Sequence, residues 1–113
     1  MNENNNLSSK KCEACSTGTI PLHGNELFEL MKAIHPDWSL DNNTKIVRTF
    51  RFKDFMSALN FVNKVGEVAE AEGHHPDIEL SWGKVKVILL THKIHGLSIN
   101  DFIMAAKIDD LAI

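Results

Sequence analysis

The sequence contains no apolar run close to the roughly 20 residues that a membrane-spanning helix requires. Its first residues, Met1 to Leu7, lack the basic and apolar regions of a secretory signal peptide. Neither charge sign is in large excess, because the net charge is −3. These absences predict a cytoplasmic protein that makes no direct contact with a membrane or with nucleic acid.

Cysteine is scarce, and the two cysteines present, Cys12 and Cys15, form a single Cys-x-x-Cys in a polar stretch. A structural zinc site needs four ligands, and the set stays incomplete even with His23 as a further candidate. A thioredoxin-like motif would follow a strand and open a helix, whereas the polar residues Ser16 to Thr19 follow here. We interpret the pair as two exposed thiols rather than as a metal or redox centre.

The motifs of several enzyme classes are also missing. The chain has no glycine-rich phosphate loop, no nucleophile elbow and no His-Glu-x-x-His metal motif. With 113 residues, 43% of them hydrophobic and 24% charged, it can form one globular domain with a buried core. Residues 1–20 are rich in polar residues and predict a flexible tail with almost nothing to bury, so a single domain spans 21–113.

Hydrophobic periodicity predicts two helices in the first two thirds of the chain. The first is capped by Asn25 and ends before His35, because a residue that precedes proline disfavours the helical conformation. The second spans 54–72, and Gly73 follows it as a left-handed cap. Gly66 costs this helix about 1 kcal/mol relative to alanine, which suggests close packing there against another backbone.

Four short segments have the alternation or apolar content of strands, and a third helix begins at Ser98, where Ser98-x-x-Asp101 has the form of a capping box. The predicted strands are Trp38–Leu40, Lys45–Phe52, Ile78–Trp82 and Lys84–His92. The order of elements predicts an α+β fold, with three helices packed on one face of a four-stranded antiparallel sheet in the order αββαββα.

The last two strands are separated by Gly83, which suits a tight turn. If Ser81 pairs with Lys84, then His75 pairs with Leu90, and His75 and His92 lie on the same side of the hairpin. His74 would point the other way unless the chain bends at Pro76. One face of this hairpin is purely aliphatic and should contact the helices; it consists of Ile78, Leu80, Val85, Val87 and Leu89.

Three of the six histidines, His74, His75 and His92, therefore converge at one end of the predicted hairpin. Histidine has the unperturbed pKa best suited to proton transfer near neutral pH, so this cluster predicts an acid–base site. A zinc site is the alternative, but adjacent residues of an extended chain cannot readily aim both rings at one ion. Three further histidines have no convergent partner and are interpreted as surface residues: His23, His35 and His95.

Two carboxylates near this cluster have two interpretations each. Glu70 lies four residues before His74 and could orient an imidazole or bind a ligand, or it could belong to a solvated helix face with Glu67. Asp101 stabilises the start of the third helix by charge and capping, and it could also fix the ring of His92. For Asp101 we favour the structural role.

Six motifs of this sequence resemble those of the pterin-4a-carbinolamine dehydratase family. The motifs are Arg48-x-Phe50-x-Phe52-Lys-Asp-Phe55, Ala69-Glu70-x3-His74-His75-Pro76, Trp82-Gly-Lys-Val85, Thr91-His92, Gly96-Leu97 and Asp101. The resemblance covers roughly residues 21–113, and bacterial members are similar in also having a short Cys-x-x-Cys tail.

The resemblance implies a hydro-lyase that converts 4a-hydroxytetrahydropterin to quinonoid dihydropterin and water, in tetrahydropterin recycling after aromatic amino acid hydroxylation. It implies no metal and no redox cofactor, since pterin is the substrate. His74 and His92 would transfer protons, and His75 would complete the catalytic set by binding and orienting the pterin. The implied substrate-binding residues are Glu70, Gly73, His74, His75, Pro76, Thr91, His92 and Lys93, with Asp101 in support.

The resemblance also implies partners. Family members are dimers or tetramers, which predicts a homo-oligomer with a functional link to an aromatic amino acid hydroxylase. Animal members also stabilise the dimer of a homeodomain transcription factor, so a non-catalytic, coactivator-type binding module is the alternative function. The presence of all three histidines favours the enzyme, and nothing in the composition indicates direct contact with nucleic acid.

Overall fold

The chain folds into one antiparallel sheet and three helices in the predicted order. This computed structural model describes residues 7–13 and 18–112. The elements are α1 (Gly24–Ala33), β1 (Ser39–Asp41), β2 (Lys45–Arg51), α2 (Phe55–Glu72), β3 (Asp77–Ser81), β4 (Lys84–Leu89) and α3 (Ile99–Leu111). The sheet order is β1-β2-β4-β3, and every neighbouring pair is antiparallel. Within the described residues, no helix combines the length and the apolar character needed to cross a membrane.

The hairpin of β3 and β4 has the predicted register, with Ser81 opposite Lys84. Its turn packs against the end of β2, where the Phe52 N–H donates to the Gly83 carbonyl oxygen at 2.8 Å. A Cβ atom added to Gly83 would lie 2.8 Å from the carbonyl oxygen of Phe52. This turn position therefore needs glycine because two backbones approach each other closely.

The predicted aliphatic face of this hairpin packs against the helices. Val85, Val87 and Leu89 of β4 are completely buried, and Ile78 and Leu80 of β3 are partly buried against the same core. The helices contribute further large buried side chains, among them Leu27, Phe61, Val65, Phe102, Met104 and Ile108. Removing these apolar surfaces from water is the main force that holds the sheet against the helices.

The second helix begins and ends where the sequence predicts. Asp54 is its N-cap, and the Asp54 carboxylate accepts a hydrogen bond from the Ser57 N–H at 2.7 Å. Gly73 ends it in the left-handed conformation, with φ of 67°. The expectation for Gly66 is wrong, because a Cβ atom added there would meet no atom within 4 Å. No close packing against another backbone requires glycine at this position.

Gly66→Ala is therefore expected to raise the free energy of unfolding by about 1 kcal/mol, because alanine is the better helix former and restricts the unfolded chain. Urea denaturation measures this change. Gly73→Ala is the matched control: it also has open space around it, but its φ of 67° strains any L side chain. We expect this control to lose about 1 kcal/mol. A destabilised Gly66→Ala variant would contradict the prediction.

The N-cap of α2 predicts a pH dependence of stability. The hydrogen bond from Ser57 lowers the pKa of the Asp54 carboxyl. A lowered pKa in the folded state means that the stabilisation is present above the ordinary carboxyl pKa and is lost as the pH falls through the folded value. Asp54→Ala should lower Tm at neutral pH, and its deficit should shrink in acid. Asp54→Asn keeps a capping oxygen that does not titrate, so it should retain the cap throughout a circular dichroism pH series.

The first helix begins two residues before the predicted start. Gly24 is its first residue, His23 occupies the N-cap position without a side-chain capping bond, and Asn25 lies within the first turn. The helix ends at Ala33, before His35, as predicted. The observed start differs from the predicted start because asparagine is only one of several residues that can precede a helix. Helix ends also depend on packing as well as on capping.

The fourth strand is shorter than predicted. It ends at Leu89, and its pairing with β3 stops at Asp77 and Ile88, so the predicted pair of His75 with Leu90 does not form. Beyond the strand, the Thr91 N–H donates to the Gly96 carbonyl oxygen at 2.8 Å, and the chain turns through a short 3-10 helix, His92–Ile94. His92 therefore lies in a connection between β4 and α3 rather than at a strand end.

Part of the predicted tail, residues 7–13, lies against the domain. Leu7 is only 5% exposed and belongs to the core, and Lys107 donates a hydrogen bond to the Ser8 carbonyl oxygen at 2.8 Å. This differs from the expectation of a segment with almost nothing to bury. A single leucine in a polar stretch is a weak sequence signal. The flexibility predicted for residues 1–20 and the boundary at residue 21 stay predictions.

Candidate active site

A cavity of about 400 Å³ lies where α2 ends and where β4 leads into α3. Six of the predicted site residues line it: Gly73, His74, His75, Thr91, His92 and Lys93. Three others, Glu70, Pro76 and Asp101, are not among its lining residues, although two of them contact residues that are. The cavity therefore gathers all three predicted catalytic histidines. Their roles stay predictions at this point.

Local structure explains why these residues meet. The left-handed Gly73 turns the chain out of α2, so that His74 and His75 follow directly. β3 then begins only at Asp77, and its pairing with Ile88 keeps this segment near the end of β4. Because β3 and β4 are antiparallel neighbours, the residues before one and after the other share one end of the sheet.

The His74 imidazole is held by a buried carboxylate. Its Nε2 lies 2.6 Å from Oδ1 of Asp101, and the two side chains are 13% and 0% exposed. The other Asp101 oxygen, Oδ2, accepts from the Thr91 hydroxyl at 2.8 Å and from the Ser98 N–H at 3.0 Å. A carboxylate can only accept, so Nε2 of His74 carries a proton. A neutral His74 ring therefore presents its lone pair at Nδ1.

The hydrogen bond to Asp101 shows where the His74 ring points. It also corrects the expectation that Asp101 could fix the ring of His92. Residues 74–76 are not part of a strand, so the alternation that would turn His74 away does not apply. Asp101 completes the predicted capping box with Ser98 and also binds His74, not His92. The capping bond and the bond to His74 thus coexist in one side chain, because its two oxygens serve different donors.

His75 points instead to Glu70. Its Nε2 forms a hydrogen bond with Oε2 of Glu70, and the two side chains are 59% and 79% exposed. An exposed pair of this kind contributes little to stability, but it does orient the imidazole. Of the two interpretations of Glu70, the structure favours the one in which it orients an imidazole. The ring concerned is that of His75.

The remaining histidines divide as predicted. His92 is exposed and lines the cavity from the connection between β4 and α3. His23, His35 and His95 are also exposed, but none of them lines this cavity. Their interpretation as surface residues is confirmed.

The amino-acid sequence that builds this cavity is also similar to the sequences of known proteins. The family model described as pterin 4 alpha carbinolamine dehydratase matches residues 20–111. The chain belongs to this dehydratase family. A relative from Alkaliphilus metalliredigens is 51% identical over 93% of this chain and 95% of its own length. A relative from Methylococcus capsulatus is 54% identical over 94% of this chain and 93% of its own. Both carry names within the pterin-4-alpha-carbinolamine dehydratase family.

A solved structure of the dehydratase family has the same fold. The crystal structure of a transcriptional coactivator/pterin dehydratase from Brucella melitensis superposes with a TM-score of 0.77 and 33% sequence identity. The match covers 82% of this chain and 99% of that chain. The predicted family resemblance and the predicted fold class are both confirmed.

Five residues that line the cavity of this dehydratase family member were not among the predicted site residues: Cys12, Glu13, Glu72, Leu90 and Asn100. Glu72 and Asn100 directly precede Gly73 and Asp101, so their position beside predicted site residues was a usable signal. No local pattern placed Cys12 or Glu13 at this site, because their contacts are with residues far along the chain.

The alternative of a zinc site gains no support from the side chains that the structure places together. Within residues 7–13 and 18–112, no group of three or more histidine, cysteine or carboxylate side chains converges as metal ligands do. Cys15 lies outside the described residues, so the prediction for its thiol stays a prediction. For Cys12 the expectation of an exposed thiol is wrong, because Cys12 is partly buried against the core and its Sγ donates to the Asn100 carbonyl oxygen at 3.6 Å.

Proposed function

We propose that this chain catalyses the dehydration of 4a-hydroxytetrahydropterin to quinonoid dihydropterin and water. The observation that carries the proposal is the cavity in which His74, His75 and His92 meet, with His74 held by the buried Asp101. Membership of the dehydratase family and the names of the relatives support the same reaction.

The reaction breaks the bond between C4a and its hydroxyl oxygen and forms a double bond from C4a to the neighbouring ring nitrogen. One proton must reach the departing hydroxyl, and one must leave the ring nitrogen. Electrons are only redistributed within the substrate, so no oxidant or reductant takes part. A pair of imidazoles, one protonated and one neutral, suits these two transfers.

The hydrogen bonds and the exposure of the histidines suggest which imidazole acts as the base and which acts as the acid. His74 donates through Nε2 to Asp101, so a neutral His74 has a basic Nδ1, and Asp101 would stabilise the imidazolium that forms. We therefore assign His74 as the base that removes the ring-nitrogen proton. His92, exposed at the cavity, is assigned as the acid that protonates the leaving hydroxyl. His75, oriented by Glu70, binds and orients the pterin.

The proposal includes a cellular setting. An aromatic amino acid hydroxylase would supply the hydroxylated pterin, and the product would be reduced for reuse in tetrahydropterin recycling. We place this activity in the cytoplasm and in a homo-oligomer, which would also cover an exposed edge of the sheet. Light scattering of the purified chain measures the oligomeric state.

The direct test generates the carbinolamine in place with an aromatic amino acid hydroxylase and follows its decay by absorbance. The purified chain should speed this decay well above the rate in buffer. Equal decay with and without the chain would overturn the proposed function. Activity that survives prolonged dialysis against a chelator would argue against the zinc alternative.

One observation favours a second function. The Brucella melitensis protein is described as a transcriptional coactivator as well as a pterin dehydratase. A binding-module role for this chain would need a surface other than the histidine cavity. Capture of a purified homeodomain factor, unchanged by His74→Ala and His92→Ala, would support that role; absence of capture would exclude this partner class.

A further inference from the structure

We propose that residues 7–13, called here the N-terminal strap, form part of the substrate pocket and increase its affinity for the pterin. This inference rests on the proposed function. The dehydratase family model begins only at residue 20, so the strap lies outside it. Cys12 and Glu13 nevertheless line the cavity that holds the three histidines.

Side chains from two helices hold the strap at this cavity. The Cys12 N–H donates to Oε1 of Glu72 at 2.8 Å. The Glu13 N–H donates to Oδ1 of Asn100 at 3.0 Å, and Nδ2 of Asn100 donates back to the Glu13 carbonyl oxygen. Asn100 is 4% exposed whereas Glu13 is exposed, so this two-point contact is partly buried. Partly buried hydrogen bonds fix a backbone more firmly than fully exposed ones do.

The other end of the strap is anchored away from the cavity. Leu7 is buried in the core, and Lys107 of α3 holds the Ser8 carbonyl oxygen at 2.8 Å. The same Lys107 ammonium lies 3.7 Å from Oε2 of Glu72, whose Oε1 holds Cys12. The strap is thus fixed at both ends, and Glu72 links the two anchors.

The anchoring residues are the immediate neighbours of the catalytic arrangement. Glu72 precedes Gly73 and His74, while Asn100 precedes Asp101, the carboxylate that binds His74. A ligand in contact with His74 therefore lies close to the strap. We infer that the strap forms one wall against which the pterin packs, so that its contacts contribute to binding and exclude water from His74.

The first test compares KM and kcat of Asn100→Ala with those of the wild-type chain. Losing the two bonds to Glu13 should loosen the strap at the cavity and raise KM by about fivefold, with a smaller fall in kcat. Asn63→Ala is the matched control, since Asn63 is an exposed residue of α2 that lies outside the strap and does not line this cavity. Its KM should equal the wild-type value. An unchanged KM in a folded Asn100→Ala variant would overturn the inference.

The second test does not depend on that variant folding. In the full chain with Cys15→Ser, Cys12 is alkylated with iodoacetamide, with and without saturating 7,8-dihydropterin, which has the pterin ring but no 4a-hydroxyl. A bound pterin should slow alkylation of Cys12 by about fivefold or more, because both occupy one cavity. Equal rates would overturn the inference even if the wild-type chain is an active dehydratase. A wild-type chain that neither turns over the carbinolamine nor binds 7,8-dihydropterin would overturn the proposed function, and this inference with it.

Discussion

His74→Ala is expected to lower kcat for carbinolamine dehydration by about a hundredfold or more, since a positioned acid or base contributes roughly 10²–10⁴ to a rate. His74 is the cavity histidine that a completely buried carboxylate holds at 2.6 Å. Because we propose that His74 acts in the transition state, its loss should change KM less than kcat. Stopped-flow absorbance with carbinolamine formed in place measures both constants.

Two further histidine variants make this result specific. His23→Ala removes an exposed imidazole that does not line the cavity, so its kinetics should match those of the wild-type chain. His75→Ala should act chiefly on KM, because we assign this ring to pterin binding. A wild-type kcat in His74→Ala, or an equal loss in His23→Ala, would refute the assignment of His74 as the base.

The features that sequence predicted well are those that local patterns determine. The register of β3 and β4 followed from the tight turn at Gly83, and the aliphatic face followed from that register. The structure adds a reason for glycine at this turn, since Gly83 lies against the Phe52 carbonyl. The capping box at Ser98 and the left-handed Gly73 were likewise visible over a few residues. Each of these signals depends on neighbours in the chain.

The features that sequence missed depend on distant contacts. The direction of His74 is set by Asp101, 27 residues away, and the position of Cys12 by Glu72, 60 residues away. The end of β4 was also misplaced, because Leu90 continues the apolar run while the bridge from Thr91 to Gly96 turns the chain. Periodicity carries no information about such pairings, so only the assembled fold could reveal them.

Asp109→Ala is expected to lower the free energy of unfolding by about 3 kcal/mol, because it leaves a nearly buried arginine without its closest anion. Nη1 of Arg48 lies 2.5 Å from Oδ1 of Asp109, and the two side chains are 12% and 15% exposed. The same carboxylate accepts from Nε1 of the buried Trp38 at 2.9 Å. One substitution thus removes an acceptor from two donors that have little access to water.

Burial raises the pKa of the Asp109 carboxyl, even though Trp38 and Arg48 favour its charged form. Because desolvation opposes the attraction within the pair, we expect the loss of both members to cost less than the sum of the two single losses. Arg48→Met keeps an apolar stem beside Phe50, whose ring lies 4.3 Å from the guanidinium carbon. In the Arg48→Met background, Asp109→Ala should cost less than half of its value in the wild-type chain, as measured by a double-mutant cycle in urea. Equal costs in both backgrounds would mean that Asp109 stabilises the fold through Trp38 and not through the ion pair.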